Sequence, residues 1–158
     1  MFPSWVNGQF LNIQIDVDPQ VDSVVEQPLD FGQIVAGAGL QEIVLGSPNM
    51  GIFHIRALRT QKLYITMDHD VELRHPDPQV SATIPIDLYA NYTNFGIDNY
   101  RDSVPMSNTM EPITIEGPPQ NPQSTWSGMY IYIYGAIDLG VVPAGRYRGE
   151  LVLTIIYE

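Results

Sequence analysis

The chain has 158 residues, which is enough for one domain that buries roughly 70% of its unfolded surface. Its 18 acidic and 7 basic residues give a net charge of −11, which repels nucleic-acid phosphates and anionic membrane surfaces. It contains no cysteine, so disulfides, thiolate metal sites and cysteine nucleophiles are excluded. We therefore expect a single core, no nucleic-acid partner and no membrane insertion.

The first predicted element is a strand near the N-terminus. Residues 11–18, LNIQIDVD, alternate apolar and polar side chains with the period of a strand that buries one face. The apolar positions are Leu11, Ile13, Ile15 and Val17. The next segment, PQVDSVVEQP, separates this strand from the rest of the chain. We therefore predict an N-terminal arm over residues 1–28 and a single domain over residues 29–158.

Three short strands are predicted next, over residues 41–46, 51–58 and 62–67, each bounded by Gly, Pro or Asn. Residues 80–93 continue the alternation and place Pro85 outward, which suits a sheet edge or a bulge because proline cannot donate to a ladder.

The stretch from 94 to 127 is rich in Asn, Pro, Ser and Gly and reads as a long crossing, with one short strand at 112–117. Two further strands are predicted over residues 128–139 and 148–158. About eight short strands with turns between them predict an all-β fold, an antiparallel immunoglobulin-like β-sandwich with Greek-key connections.

One short motif occurs twice, as LDFGQIVAG at residues 29–37 and as IDLGVVPAG at residues 137–145. Each copy has a single Asp among apolar residues and glycines, so the motif is poor in reactive groups. We interpret it as one corner conformation used at two edges of the sandwich. Gly37 and Gly145 close the copies and permit the positive φ that such a turn can require.

The ending VPAGRYRGELVLTIIYE resembles the final strand of fimbrial and spore-coat-like subunits, with its Pro-Ala-Gly turn, aromatic, Gly and alternating apolar residues. The segment LDFGQIVAG is similar to the early Phe-Gly segment of the same pilin-like families. The resemblance implies self-assembly by strand donation, in which an N-terminal extension of one subunit completes the sheet of another. In this chain the donated segment would be residues 10–18. The sequence departs from the secreted families because it has no cysteine pair and no recognisable N-terminal signal.

The richest polar cluster is MDHDVELRHPD, which contains His69, Asp70 and His75. Imidazole and carboxylate groups are competent ligands for zinc or manganese, and a turn could bring the two histidines together. The spacing matches no defined metal motif, so we predict a solvated hairpin or strand end, without a metal or other cofactor.

Asp16, Asp18 and Asp22 superficially resemble a calcium loop. The EF-hand pattern fails because Val21 stands where Gly is needed and Gln27 where Glu is needed, which leaves a peripheral, low-affinity site as the alternative. No nucleophile, phosphate loop or distinct acid pair emerges, so we do not expect an enzyme.

The best binding candidate is an aromatic row. Tyr130, Tyr132 and Tyr134 share one face of a predicted strand, and Trp126 lies nearby. An exposed row could stack on a sugar or anchor another subunit. The alternative is that the tyrosines lie on the inner face or under the 94–127 crossing.

Two functions follow from these patterns. The first is a non-enzymatic structural subunit of a multimeric assembly, with other copies of itself and other structural proteins as partners. Since no signal peptide is recognised, we expect a virion component, such as a phage tail, baseplate or capsid-decorating protein. An extracellular pilus-like filament assembled by strand donation is the alternative. The second function is a carbohydrate-binding module that uses the aromatic row, with a glycan as partner.

Overall fold

The computed structural model describes residues 4–9, 13–14, 22–68, 71–107 and 111–158, the first two ranges by their backbone only. Twelve strands are numbered in chain order. The first six are β1 (Ser4–Gln9), β2 (Ile13–Gln14), β3 (Asp22–Gln27), β4 (Gly39–Ile43), β5 (Gly51–Leu58) and β6 (Lys62–Met67). The others are β7 (Glu72–Arg74), β8 (Thr83–Thr93), β9 (Val104–Pro105), β10 (Ile113–Thr114), β11 (Trp126–Leu139) and β12 (Val152–Tyr157).

The strands form two antiparallel sheets. The first sheet has five strands in the order β10-β6-β12-β1-β2. The second has seven strands and contains the path β3-β5-β11-β8-β7, while β4 pairs with β11 and β9 pairs with β8. The predicted all-β antiparallel sandwich is therefore confirmed.

The main core lies between the sheets and is built by the alternation that the sequence displays. In β5, β11 and β12 most alternate residues carry an apolar side chain with almost no exposed surface, because a strand turns successive side chains to opposite faces. The fully buried residues include Phe53, Ile55, Met129, Ile131, Ile133, Leu153 and Ile155. Pro85 lies in β8 opposite Glu72 of β7 and is exposed, as predicted.

Two parts of the N-terminal region differ from expectation. Residues 22–27, predicted as part of the separating segment, form β3 and pair with β5 of the second sheet. Ser23 and Val25 are partly buried, whereas Asp22 and Val24 are exposed, so a weak alternation is stabilised by the neighbouring strand. Residues 4–9, for which no strand was predicted, form β1.

The long crossing contains β9, β10 and a 3-10 turn over Tyr100–Asp102, which Asn99 caps by accepting a hydrogen bond from the backbone N–H of Arg101. The crossing is therefore more ordered than its composition indicates. Within the described ranges, no helix has the length and apolar character needed to cross a membrane.

The two copies of the repeated motif lie against each other. The backbone N–H of Gly37 in the first copy donates to the carbonyl oxygen of Gly140 in the second, at 2.8 Å. Gly37 and Gly145 have φ of 80° and 153°, values that favour glycine. The copies differ in detail, since residues 137–139 end β11 while residues 29–31 lie outside any strand.

Gly135 provides a test of packing at the centre of the second sheet. It is opposite Ile43 of β4 and Leu88 of β8, and a Cβ at this position would overlap with the carbonyl oxygen of Asp87. We expect Gly135→Ala to cost about 1–3 kcal/mol and to lower the melting temperature by about 2–10 °C in differential scanning calorimetry. Gly140→Ala is the matched control, because a Cβ there meets nothing within 4 Å. Equal melting temperatures for both variants would contradict this packing.

Candidate functional site

The candidate site is the outer face of β11, which carries the predicted aromatic row. The inner face of this strand points its aliphatic side chains into the main core. On the outer face, Trp126, Tyr130 and Tyr134 are partly buried and Tyr132 has no exposed surface. The row is therefore not continuous, because its central member is covered.

Tyr132 belongs to a second, smaller core on the outer face. It packs with the buried side chains of Ile43 and Met50, and the partly buried Tyr100 packs against this cluster. Its hydroxyl donates to Oδ1 of Asp98 at 2.7 Å. Burial, reinforced by the hydrogen bond to Asp98 and by the negative charge of that residue, raises the pKa of Tyr132 far above the ordinary tyrosine value. Tyr132 thus lies under the start of the 94–127 crossing. This position is one of the alternatives that the sequence left open for the tyrosines.

Tyr130 forms the first of two partly exposed stacks. Its ring lies parallel to that of His54, with centroids 4.3 Å apart and planes inclined by 7°. Nδ1 of His54 is 3.5 Å from Oε1 of Glu26 on β3, so the stack is flanked by a carboxylate. Burial, with smaller contributions from the charges of Glu26 and Asp98, raises the pKa of Tyr130.

Trp126 forms the second stack, since the guanidinium carbon of Arg56 lies 4.0 Å from its ring centroid. This distance is typical of a cation–π contact. Gly128 separates the two stacks along β11, and a Cβ there would lie 2.6 Å from the carbonyl oxygen of Ile55. We name the four stacked residues the stacked patch: His54, Arg56, Trp126 and Tyr130.

Tyr134 lies on the other side of buried Tyr132 and is held by hydrogen bonds. Its hydroxyl donates to Oδ1 of Asn91 at 2.9 Å, and Nδ2 of Asn91 donates to Oγ of Ser103 at 3.1 Å. The ring of Tyr89 is tilted against it at 5.9 Å. Asn91 is only 6% exposed, and its side chain serves this network.

Of the predicted metal candidates, the structure describes His75, while His69 and Asp70 lie outside the described residues. Nδ1 of His75 accepts a hydrogen bond from the backbone N–H of Asp77 at 3.0 Å. Nε2 is 2.9 Å from the carbonyl oxygen of Ala144, to which it can only donate. Both ring nitrogens thus have structural roles at the corner closed by Gly145. The described part of the chain contains no group of three or more metal-ligating side chains.

Of the four apolar positions predicted for the arm, only Ile13 is described, and it pairs with Gly8 of β1 through the two-residue strand β2. Leu11, Ile15 and Val17 lie outside the described residues, as do the calcium candidates Asp16 and Asp18. Asp22 is exposed in β3.

The contact that sequence reasoning missed is the ladder between β1 and β12. It runs from Ser4 opposite Tyr157 to Gln9 opposite Val152. The β1 sequence, SWVNGQ, has no clear alternation, so the signal in the sequence is weak. β1 pairs with one edge of β12, because the opposite edge of β12 pairs with β6.

No protein-family model matches the chain, and the search of curated proteins finds no similar sequence.

The buried phenol of Tyr132 predicts a loss of stability in alkali. Above pH of about 10 the unfolded chain releases this proton while the folded chain retains it, so the unfolded state binds fewer protons and stability falls as pH rises. We expect Tyr132→Phe to remove up to about 1.4 kcal/mol of this decline per pH unit, measured by urea unfolding between pH 9 and 11.5.

Tyr89→Phe is the control, since Tyr89 is 56% exposed. It should keep the wild-type decline. An identical decline in Tyr132→Phe would show that the phenol does not stay protonated in the folded chain.

Proposed function

We propose that the chain is a non-enzymatic structural subunit of a multimeric assembly, joined through its N-terminal strand. The observation that carries this proposal is the ladder in which β1 pairs along the whole of β12, from Val152 to Tyr157. A strand at the beginning of the chain thus covers the edge of the strand at its end.

The attachment of β1 favours exchange between copies. Its strand partners in the described part of the chain are β12 and the two-residue β2. A strand added to a sheet edge is held mainly by main-chain hydrogen bonds, and these are the same whether the strand comes from its own chain or from a neighbour. Exchange of such a strand between copies is therefore a low-cost route to assembly.

The edge of β12 that β1 covers would be prone to association if it had no partner strand, and this supports the same proposal. β12 is rich in β-branched and aromatic residues, and its inward side chains Leu153, Ile155 and Tyr157 are buried. Such an edge without a partner strand promotes association with other chains. In the assembly that we propose, each β12 edge always carries a β1 strand, its own or a neighbour's.

The particle that we propose is a virion, in which the partners are other copies of the chain and other structural proteins. A pilus-like filament would use the same ladder and is the alternative.

Single cysteines test the exchange, because the chain has none of its own. Asn7 lies opposite Thr154 in the ladder. We expect a mixture of Asn7→Cys chains with Thr154→Cys chains to form a covalent mixed dimer on oxidation, since each chain has only one thiol. Non-reducing electrophoresis with chains of two different masses measures it.

The double variant, with both cysteines in one chain, supplies the control. Its internal disulfide holds β1 on its own β12, so assemblies seen by native mass spectrometry and negative-stain microscopy should disappear and return after reduction. If the oxidised double variant still assembles and the mixture gives no mixed dimer, strand exchange is wrong.

A carbohydrate-binding role is the second candidate, and the stacked patch favours it. Partly exposed aromatic rings can stack on the apolar face of a sugar, and Arg56 adds hydrogen-bond donors beside Trp126. We expect Trp126→Ala to lower binding on a glycan array at least tenfold. Tyr89→Ala, which lies outside the stacked patch, should bind as wild type. An array without signal for the wild-type chain would contradict this role.

A further inference from the structure

Two arginines lie directly opposite each other at one side of the sandwich. Arg74 ends β7, at one end of the second sheet, and Arg148 precedes β12 of the first sheet. They form an isolated antiparallel bridge, in which the N–H of Arg74 donates to the carbonyl oxygen of Arg148 at 2.7 Å and the N–H of Arg148 donates back at 2.9 Å. Residues paired in this way turn their side chains to the same face, with Cβ atoms about 5 Å apart. The two guanidinium groups therefore start side by side.

The fold itself does not require arginine at these two positions. Like charges directly opposite each other destabilise a sheet. The bridge is made by main-chain groups, which a neutral residue at either position would supply equally well. Three of the seven basic residues in the chain nevertheless lie in these two segments, since Arg146 stands two residues before Arg148. A ligand that is attracted by the paired charges would account for them.

Acidic side chains leave most of this positive charge without an ion pair. Oε2 of Glu72 is 3.4 Å from Nη2 of Arg74, whose side chain stays 73% exposed. Such an exposed pair contributes little, so the guanidinium group of Arg74 can still bind a ligand. Among the described residues, neither Arg146 nor Arg148 makes an ion pair, although exposed Glu150 is close to Arg148 in the sequence.

The loop that carries Arg148 is held in place by its neighbours. The hydroxyl of Tyr147 donates to the carbonyl oxygen of Pro143 at 2.8 Å, and its ring meets that of His75 edge-on with centroids 5.4 Å apart. Nε2 of His75 lies 2.9 Å from the carbonyl oxygen of Ala144. Asp77, the remaining acidic residue of the two segments, uses its carboxylate within its own turn. A site that is already ordered loses little conformational entropy when it binds.

We propose that Arg74 and Arg148 form a binding site for an oxyanion, the carboxylate or phosphate group of a small ligand. A guanidinium group presents a planar fork of N–H donors that matches both groups, and two neighbouring forks can hold one anion between them. Arg146 adds a third positive charge nearby. The net charge of −11 opposes long anionic polymers. A small anion responds mainly to the local arginines, because charges further away than about 8 Å are screened at physiological ionic strength.

Titration with inorganic phosphate and with glucuronate, followed by the amide NMR spectrum of the labelled chain, tests the site. Sodium chloride keeps the ionic strength constant, and glucose is the neutral counterpart of glucuronate. We expect saturable shifts confined to the amides of residues 72–75 and 146–149, and no shifts with glucose. A response to phosphate alone would assign the site to phosphate groups, and a response to glucuronate alone would assign it to carboxylates.

Arg148→Gln is the test variant, and Arg101→Gln is its matched control. Each removes one positive charge and changes the net charge from −11 to −12, but exposed Arg101 lies on the 3-10 turn against Tyr100. We expect Arg148→Gln to weaken binding about tenfold or more, and Arg101→Gln to bind as wild type. Arg148→Lys keeps the charge without the fork, so its loss should be smaller.

Stability separates a binding role of Arg148 from a structural one. Without the anion, Arg148→Gln should have an equal or higher melting temperature than wild type, because the like-charge contact is gone. A lower melting temperature would give Arg148 a structural role and overturn the proposal.

Two further results would contradict the proposed site: equal weakening in Arg148→Gln and Arg101→Gln, or no saturable response to either anion. None of these outcomes bears on strand exchange, because Arg74 and Arg148 lie outside the ladder between β1 and β12.

Discussion

The fold depends on one strand, β11, which is bonded along both edges and packed on both faces. One edge pairs with β5 and then β4, and the other pairs with β8. Its inner face supplies aliphatic side chains to the core between the sheets, while its outer face buries Tyr132 in a second core. Few residues of such a strand can be substituted without loss of packing. At Gly135 a Cβ would overlap with the carbonyl oxygen of Asp87, which shows how close the neighbouring backbones are.

The second core explains what the tyrosines do. The segment that contains Asp98 and Tyr100 lies over the middle of the outer face, so Tyr132 packs there while Tyr130 and Tyr134 stay at its two sides. The aromatic face is thereby divided into a stacked patch near Trp126 and a hydrogen-bonded pair near Asn91. The first of these combines the stacked rings of Tyr130 and His54 with the guanidinium group of Arg56 over Trp126.

Two further features of the fold are the corner into which β11 leads and the ladder between β1 and β12. The strand ends in the second copy of the repeated motif, which rests on the first copy and exposes the valines of the corner. The first and last strands of the chain pair with each other. The ladder presents main-chain hydrogen bonds in an acidic molecule, so the proposed strand exchange would not depend on charge.

The sequence by itself determined the fold class and most of the strands. The alternation in residues 51–58, 62–67 and 128–139 matched β5, β6 and most of β11, because period-two patterns of β-branched and aromatic residues fit a half-buried strand whatever its neighbours are. The repeated motif was interpreted as one corner conformation used at two edges, whereas the structure places its two copies against each other.

Only the tertiary structure decided which strands meet and which side chains are covered. The sequence SWVNGQ becomes β1 because the edge of β12 accepts it, and DSVVEQ becomes β3 because β5 pairs with it. Tyr132 and Val141 are both apolar in the sequence, yet one is fully buried and the other 91% exposed. The reason is physical: local alternation fixes the direction of a side chain relative to its strand, whereas burial depends on segments that are distant in the chain and close in space.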